Sequence, residues 1–333
     1  MKSLVLAPFD NDALNAMNGL TEVVHESWTE TRLLYSPDEL AQRANEEGID
    51  ILVIEADFAF EELFEGAPGL LFVGVCRQEL NHVDIGAATR HGVVVVNTPA
   101  RNARAVAEHT IGLMLSLARR IPEAHSYVKS KMWHDPVGPY ITMRGTELGG
   151  KVLGIIGLGA IGRIVARLAR GMGMKVLAYD PYAGAIGQRV RGVPLASLED
   201  LLHESHFVTL HVPRASETNG LLDSNRIQMM REGAFLVNTS SYAAVDEHAL
   251  VEALRSGRLS GAALDVHEAH PIPTTSPLLG LDNVVLTPHI GGATKETISR
   301  YSWMIVDAVR AFLKGRRPQH LVNPEVWRVR RGR

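Results

Sequence analysis

The residues with the clearest chemical spacing are Gly157-Leu158-Gly159-Ala160-Ile161-Gly162. A GxGxxG alone is a weak signal; its surroundings give it strength. The apolar run Val152–Ile156 precedes it, and a helical pattern from Arg163 to Met172 follows. In such a strand–turn–helix, Gly157 permits the tight turn and Gly159 lets the backbone approach a pyrophosphate. Gly162 lets helix and strand pack closely. The amides at the helix start, from Ala160 and Ile161, then face the anion. Asp180 ends the next apolar run, 18 residues beyond Gly162. A carboxylate there accepts both adenosine ribose hydroxyls and repels a 2′-phosphate. Pro181 and Tyr182 add no cation, so the pattern points to NAD over NADP. The competing reading is a glycine turn beside a surface aspartate, which would not require loop, flanks and acid to coincide.

The bulk properties narrow the partners. At 333 residues the chain is long for one core and comfortable for two domains. A net charge of −3 gives no broad attraction to nucleic acid or anionic membrane. The single cysteine, Cys76, excludes an internal disulfide and a four-cysteine zinc site, and no metal is expected. Cys76 itself reads as a small buried residue rather than a nucleophile. The N-terminal MKSLVLAPFD is too short in its apolar run for a signal-peptide core. No apolar stretch approaches the roughly 18 residues of a membrane helix. The expectation is a cytoplasmic protein acting on a small molecule.

The elements that must position the glycine loop are legible as alternating runs. Ser3–Ala7, Ile49–Ile54, Leu70–Val75 and Val93–Val96 are strand-length and unbroken, as in parallel strands buried on both faces. Helical patterns, Pro37–Glu47 and His82–His91, separate them. A long helix is expected over Asn102–Arg120, ended near Pro122. A second series follows: Val152–Ile156, Lys175–Tyr179, Phe207–Leu210, Ala234–Asn238, Gly261–Val266 and Val284–Thr287. A helix over Ile298–Lys314 and a tail with Arg328, Arg330, Arg331 and Arg333 close the chain; the tail reads as a solvated terminus. The expected fold is α/β, with two doubly wound Rossmann-like domains and a cleft between them. The substrate domain is 1–100 plus 293–333, flavodoxin-like, with an NAD-binding domain, 101–292, inserted in it.

Several further stretches occur in order: Val96-Asn97-Thr98-Pro99, Ala105-Val106-Ala107-Glu108-His109-Thr110, and Glu147 through Gly154 leading into the glycine loop. Leu210-His211-Val212-Pro213, Val237-Asn238-Thr239, Val245-Asp246-Glu247, Ala263-Leu264-Asp265-Val266 and Thr287-Pro288-His289-Ile290-Gly291-Gly292 follow. With these the chain resembles the D-isomer-specific 2-hydroxyacid dehydrogenases along nearly its whole length. The resemblance implies hydride transfer between NAD and a small hydroxy or keto acid, and a homodimer. It implies His289 as the general acid/base, taking the hydroxyl proton as hydride leaves the same carbon. Asp265 and Thr239 are expected at the nicotinamide, His211 and Pro213 on the adenosine–ribose side, and His289 and Gly291 also among the cofactor-binding residues.

Two expected groups are absent. An arginine should follow Asn-Thr-small and clamp the substrate carboxylate; the order here is Asn238-Thr239-Ser240-Ser241-Tyr242, which puts Ser241 in its place. A carboxylate should stand five residues after Asp265, paired with the histidine; His270 stands there, and Glu268 is two residues short. A histidine without its carboxylate loses the partner that favours its protonated form, so keto-acid reduction should weaken at neutral pH. Compensation is expected from the loop Gly74 to Asp84, which carries Arg77, Gln78 and Glu79. Arg77 is the candidate anion clamp, and the polar loop suits a sugar acid. Tyr242 could donate to a substrate hydroxyl, or simply pack. The leading expectation is therefore a working NAD-dependent oxidoreductase with His289, Arg77, Ser241 and His270 at its site. The alternatives are a non-catalytic NAD(H)-binding sensor or scaffold, and an oxidation coupled to rearrangement or elimination.

Overall fold

The computed structural model describes residues 1–185 and 187–330. Arg331 and Arg333 of the tail lie outside the described residues, as do the side chains of Arg328 and Arg330. The chain divides into two compact units, residues 1–101 with 293–333, and residues 102–292.

The first unit is built on five parallel strands: β1 (Lys2–Val5), β2 (Glu22–His25), β3 (Ile51–Ile54), β4 (Phe72–Val75) and β5 (Val94–Asn97). Their spatial order is β2-β1-β3-β4-β5. The unbroken runs Ile51–Ile54 and Phe72–Val75 are buried at every position, which is why they are apolar without alternation. β2 escaped the sequence reading. It is an edge strand of sequence Glu-Val-Val-His, nowhere fully buried, and so carries little apolar signal. The C-terminal helix, Lys295–Leu313, returns to this unit and buries Tyr301, Ile305 and Val309 against Val5, Phe72 and Val94. Asn323 ties the returning chain to β5: its side chain accepts from Val95 N (2.9 Å) and donates to Val93 O (2.8 Å).

The second unit has six parallel strands: β6 (Val152–Ile156), β7 (Lys175–Tyr179), β10 (Phe207–Leu210), β11 (Ala234–Asn238), β12 (Leu259–Leu264) and β13 (Val284–Leu286). A small antiparallel pair, β8 (Arg189–Val190) and β9 (Val193–Pro194), interrupts the series. The order β13-β12-β11-β10-β6-β7 reverses direction at β6. That reversal leaves a crevice at the carboxyl end of β6, the usual ligand position in open parallel sheets. The glycine loop leaves β6 there.

Three boundaries differ from expectation for local reasons. The helix Ala103–Ala118 ends before Pro122, and Arg120 turns left-handed (φ 51°). Pro122 then sits in the first turn of a new helix, Ile121–Lys129, where its missing N–H is harmless. The stretch from His82 forms helix only over Ile85–Arg90, because Asp84 caps it by accepting from Ala87 N (2.8 Å). β12 stops at Leu264 rather than Val266, since the loop after β13 engages Asp265. No helix among the described residues is long and apolar enough to cross a membrane.

Candidate active site

The three loop glycines answer to three different constraints. Gly157 has φ 95°, and a Cβ there would meet His211 O at 2.4 Å. At Gly162 a Cβ would meet Gly157 O at 2.1 Å, so the helix Ala160–Gly171 can pack on β6 only with glycine there. A Cβ on Gly159 would meet no protein atom within 4 Å. The protein therefore has no packing reason to keep position 159 bare, whereas a closely approaching ligand would supply one. Gly159 and Ala160 are exposed at the helix start, with Ile161 half-buried behind them. Asp180 Oδ2 accepts from Leu158 N (2.8 Å) and Oδ1 from Tyr182 N (2.9 Å). Each carboxylate oxygen retains a lone pair for a ribose hydroxyl.

His211 lies on the other side of the loop. Its Nε2 is 3.1 Å from Thr209 Oγ1, and its Nδ1 is buried without a hydrogen-bond partner among the described residues. Burial lowers its pKa to about 3, so the ring is neutral. An orphaned buried nitrogen beside an uncluttered anion cradle fits a bound dinucleotide. Pro213 is exposed on the same loop.

Asp265 organises the chemistry at the ends of β12 and β13. Only 2% exposed, its carboxylate accepts from Thr287 Oγ1 (2.6 Å), Ile290 N (2.9 Å) and Gly291 N (2.8 Å). His109 Nε2 stands 3.4 Å from the same carboxylate and 3.2 Å from Thr287 Oγ1. Burial alone would raise the Asp265 pKa. The hydrogen bonds from His109, Thr287 and the two amides outweigh it and hold the pKa at about 2. Gly291 must be glycine, because a Cβ would meet Asp265 Oδ2 at 2.8 Å. The loop so anchored carries His289, left-handed at φ 57°, with its Nδ1 3.2 Å from His270 Nε2. His267 Nε2 lies 2.9 Å from Thr287 O. No group of three or more metal-ligating side chains occurs among the described residues.

Thr239 Oγ1 lies 3.0 Å from Thr110 Oγ1, which fixes the end of β11 to the helix Ala103–Ala118. Ser241 is 5% exposed; its carbonyl accepts from Asn238 Nδ2 (2.8 Å). Tyr242 packs its ring against the Arg214 guanidinium rather than standing alone.

In the first unit, Arg77 is half-buried just past β4, and its carbonyl accepts from Thr98 N (3.1 Å). Gln78 is committed to the fold: its side chain accepts from Ala100 N (3.1 Å) and its carbonyl from Asn97 Nδ2 (2.9 Å). Cys76 is fully buried. Burial, helped by the Glu55 charge and opposed by Arg101, pushes its thiol well above the ordinary range. That environment suppresses a thiolate nucleophile.

Comparison with known proteins fits this arrangement. A family model for the D-isomer specific 2-hydroxyacid dehydrogenase NAD binding domain matches residues 111–291. A glyoxylate reductase of Korarchaeum cryptofilum is 42% identical over 81% of this chain and 81% of its own. The chain belongs to the D-isomer specific 2-hydroxyacid dehydrogenase family. A D-3-phosphoglycerate dehydrogenase of Archaeoglobus fulgidus is 36% identical over 97% of this chain and 59% of its own. The crystal structure of the TT0316 protein from Thermus thermophilus matches with a TM-score of 0.85 at 36% identity, over 97% of this chain and 100% of that one.

This 2-hydroxyacid dehydrogenase family member is an NAD-dependent oxidoreductase. The second unit gathers Gly157, Gly159, Ala160, Ile161, Gly162, Asp180, His211, Pro213 and Thr239 at the carboxyl edge of one sheet, together with Ser241, Asp265, His270, His289 and Gly291. Arg77 belongs to the other unit. Three contributors escaped the sequence reading. His109 was visible inside Ala-Glu-His-Thr, but its bond to Thr287 was not. Thr287 itself looked like a strand end. Arg214 follows the His-Val-Pro stretch, and nothing in its spacing marks it.

Proposed function

We propose that this dehydrogenase oxidises a 2-hydroxy acid, a sugar acid being the class we favour, with His289 as the base. The observation that carries the reading is the 3.2 Å contact between His289 Nδ1 and His270 Nε2. A histidine partner can accept from Nδ1–H, which leaves Nε2 as the basic nitrogen of neutral His289. NAD, when bound, supplies the hydride acceptor. His289 takes the hydroxyl proton on Nε2 while the substrate carbon gives up its hydride, and a 2-keto acid is left. The imidazolium so formed keeps its Nδ1–H directed at His270 Nε2, then releases a proton to water.

A carboxylate partner would stabilise the imidazolium more strongly than a neutral imidazole does. A histidine in the carboxylate's place therefore favours the base role that oxidation needs over the acid role that reduction needs. Relatives named glyoxylate reductase and D-3-phosphoglycerate dehydrogenase support a small hydroxy or keto acid as substrate. The polar Arg77 and Glu79 in the loop after β4 support a polyhydroxylated one. Exposed apolar side chains at Ile121, Val128, Trp133, Tyr140 and Ile141 support a homodimer, and light scattering on the purified protein checks that part.

The test is NADH formation with NAD and a panel of 2-hydroxy and sugar acids at several pH values, with His289→Ala alongside. Turnover that falls about 10²- to 10⁴-fold in His289→Ala supports the reading. The loss of the usual arginine and carboxylate favours one rival, an NAD(H) sensor. Tight NADH binding with no turnover on any acid would establish that rival instead.

A further inference from the structure

The loops after β10 and β11 meet through a side chain that no motif marks. These strands are neighbours, with Leu210 opposite Asn238, so both loops leave the same edge of the sheet. The guanidinium carbon of Arg214 stands over the Tyr242 ring, 5.2 Å from its centroid. Tyr242 directly follows Ser241, the position where the resemblance expects an arginine.

The Tyr242 platform is held from beneath. Asn238 Nδ2 donates to Ser241 O (2.8 Å), while Asn238 Oδ1 accepts from Ser240 N (3.1 Å). Tyr242 then enters a 3-10 turn, Tyr242–Ala244, with its ring half-buried. No carboxylate lies within ion-pair distance of Arg214 among the described residues. An aromatic face positions a guanidinium without consuming its N–H donors, which lie in the guanidinium plane. The result is an exposed, pre-positioned cation whose hydrogen-bonding capacity is not spent on an acidic partner.

We propose that Arg214, seated on Tyr242, binds the substrate carboxylate in place of an arginine at position 241. Three residues then form one exchange: a serine at 241 removes the cation, an aromatic at 242 provides a platform, and 214 supplies the guanidinium. Holding that guanidinium in advance reduces the ordering entropy lost when the acid binds. The anion site lies wholly in the cofactor unit, on the edge that also carries His289. The inference rests on the hydroxy-acid reading above, but it can be tested without turnover.

The probe is oxamate, a carboxylate mimic of a small 2-keto acid, titrated calorimetrically into NADH-loaded protein, with NADH affinity measured separately by fluorescence. Arg214→Ala is expected to weaken oxamate about 10- to 100-fold and to leave NADH affinity within about twofold. Arg214→Lys should recover part of the loss, and Tyr242→Leu should weaken oxamate about threefold through the lost platform. Oxamate affinity that survives Arg214→Ala overturns the proposal. So does an equal loss of NADH affinity, which would make Arg214 a cofactor clamp, or a wild-type holoprotein that binds no oxamate. Arg214-dependent oxamate binding without oxidation of any hydroxy acid would retain this inference and refute the proposed reaction.

Discussion

His289 Nδ1 lies 3.2 Å from His270 Nε2, so one partner of the proposed base is an imidazole at the position where the family resemblance expects a carboxylate. The contact is a sign-determining substitution: a carboxylate stabilises the protonated ring, whereas a neutral imidazole can only accept its proton in a hydrogen bond.

His270→Glu should therefore reverse the direction preference. The acidic limb of hydroxy-acid oxidation, which needs neutral His289, moves to higher pH, and oxidation at neutral pH slows. Keto-acid reduction, which needs protonated His289, persists to higher pH. Paired pH–rate profiles of the two directions check this. Profiles that move oppositely, or do not move, would break the link between the histidine pair and catalysis.

Asp265 sets the stability of the His289 loop. Its pKa of about 2 lies below the value of about 3.9 expected for the unfolded chain. A depressed carboxyl contributes stability that is present above the unfolded pKa and lost as pH falls through the folded one. The window here is therefore from about pH 4 down to about pH 2, and the contribution is about 2–3 kcal/mol. Asp265→Asn leaves the donors from Ile290, Gly291 and Thr287 competing for one carbonyl oxygen. It should lower unfolding stability at pH 7 by about 2–4 kcal/mol and flatten the acid-side decline. Urea unfolding at pH 7 and pH 3 measures both effects.

The contrast between backbone and loop contacts explains what the sequence made legible. Unbroken runs such as Ile51–Ile54 reveal parallel strands because both faces are buried, and the glycine loop declares itself through steric need at Gly157 and Gly162. The exchanges at Ser241 and His270 were countable from neighbouring motifs. The bond of His109 to Thr287 and the seat of Arg214 on Tyr242 were not. Each joins residues far apart in the chain, from 28 positions for Arg214 and Tyr242 to 178 for His109 and Thr287. Such contacts depend on strand order, and the order β13-β12-β11-β10-β6-β7 has no local signature. β2 was missed for the opposite reason, being an edge strand with too little burial to enforce a pattern.

Gly159 and Gly162 should respond differently to the same substitution. Gly162→Ala drives a methyl into Gly157 O, so it should lower the melting temperature and NADH affinity together. Gly159→Ala meets no protein atom and has an extended backbone that alanine tolerates. It should melt with the wild type yet bind NADH at least about tenfold more weakly, because its methyl occupies the approach of the pyrophosphate. Equal melting losses in both variants would mean that position 159 is bare for folding, not for the cofactor.

Asp180 combines two jobs that one substitution separates. Its carboxylate holds Leu158 N and Tyr182 N, and its charge disfavours a 2′-phosphate. Asp180→Asn keeps an acceptor for one of these amides but removes the charge. NADH binding should weaken only modestly, while the NADPH-to-NADH affinity ratio rises about tenfold through the lost repulsion. Asp180→Ala removes the acceptor as well, so it should loosen the glycine loop and weaken both cofactors. Fluorescence titration of the two variants with both reduced cofactors distinguishes the roles. If the ratio shifts only in Asp180→Ala, discrimination comes from loop geometry rather than charge, and the electrostatic basis for NAD preference fails.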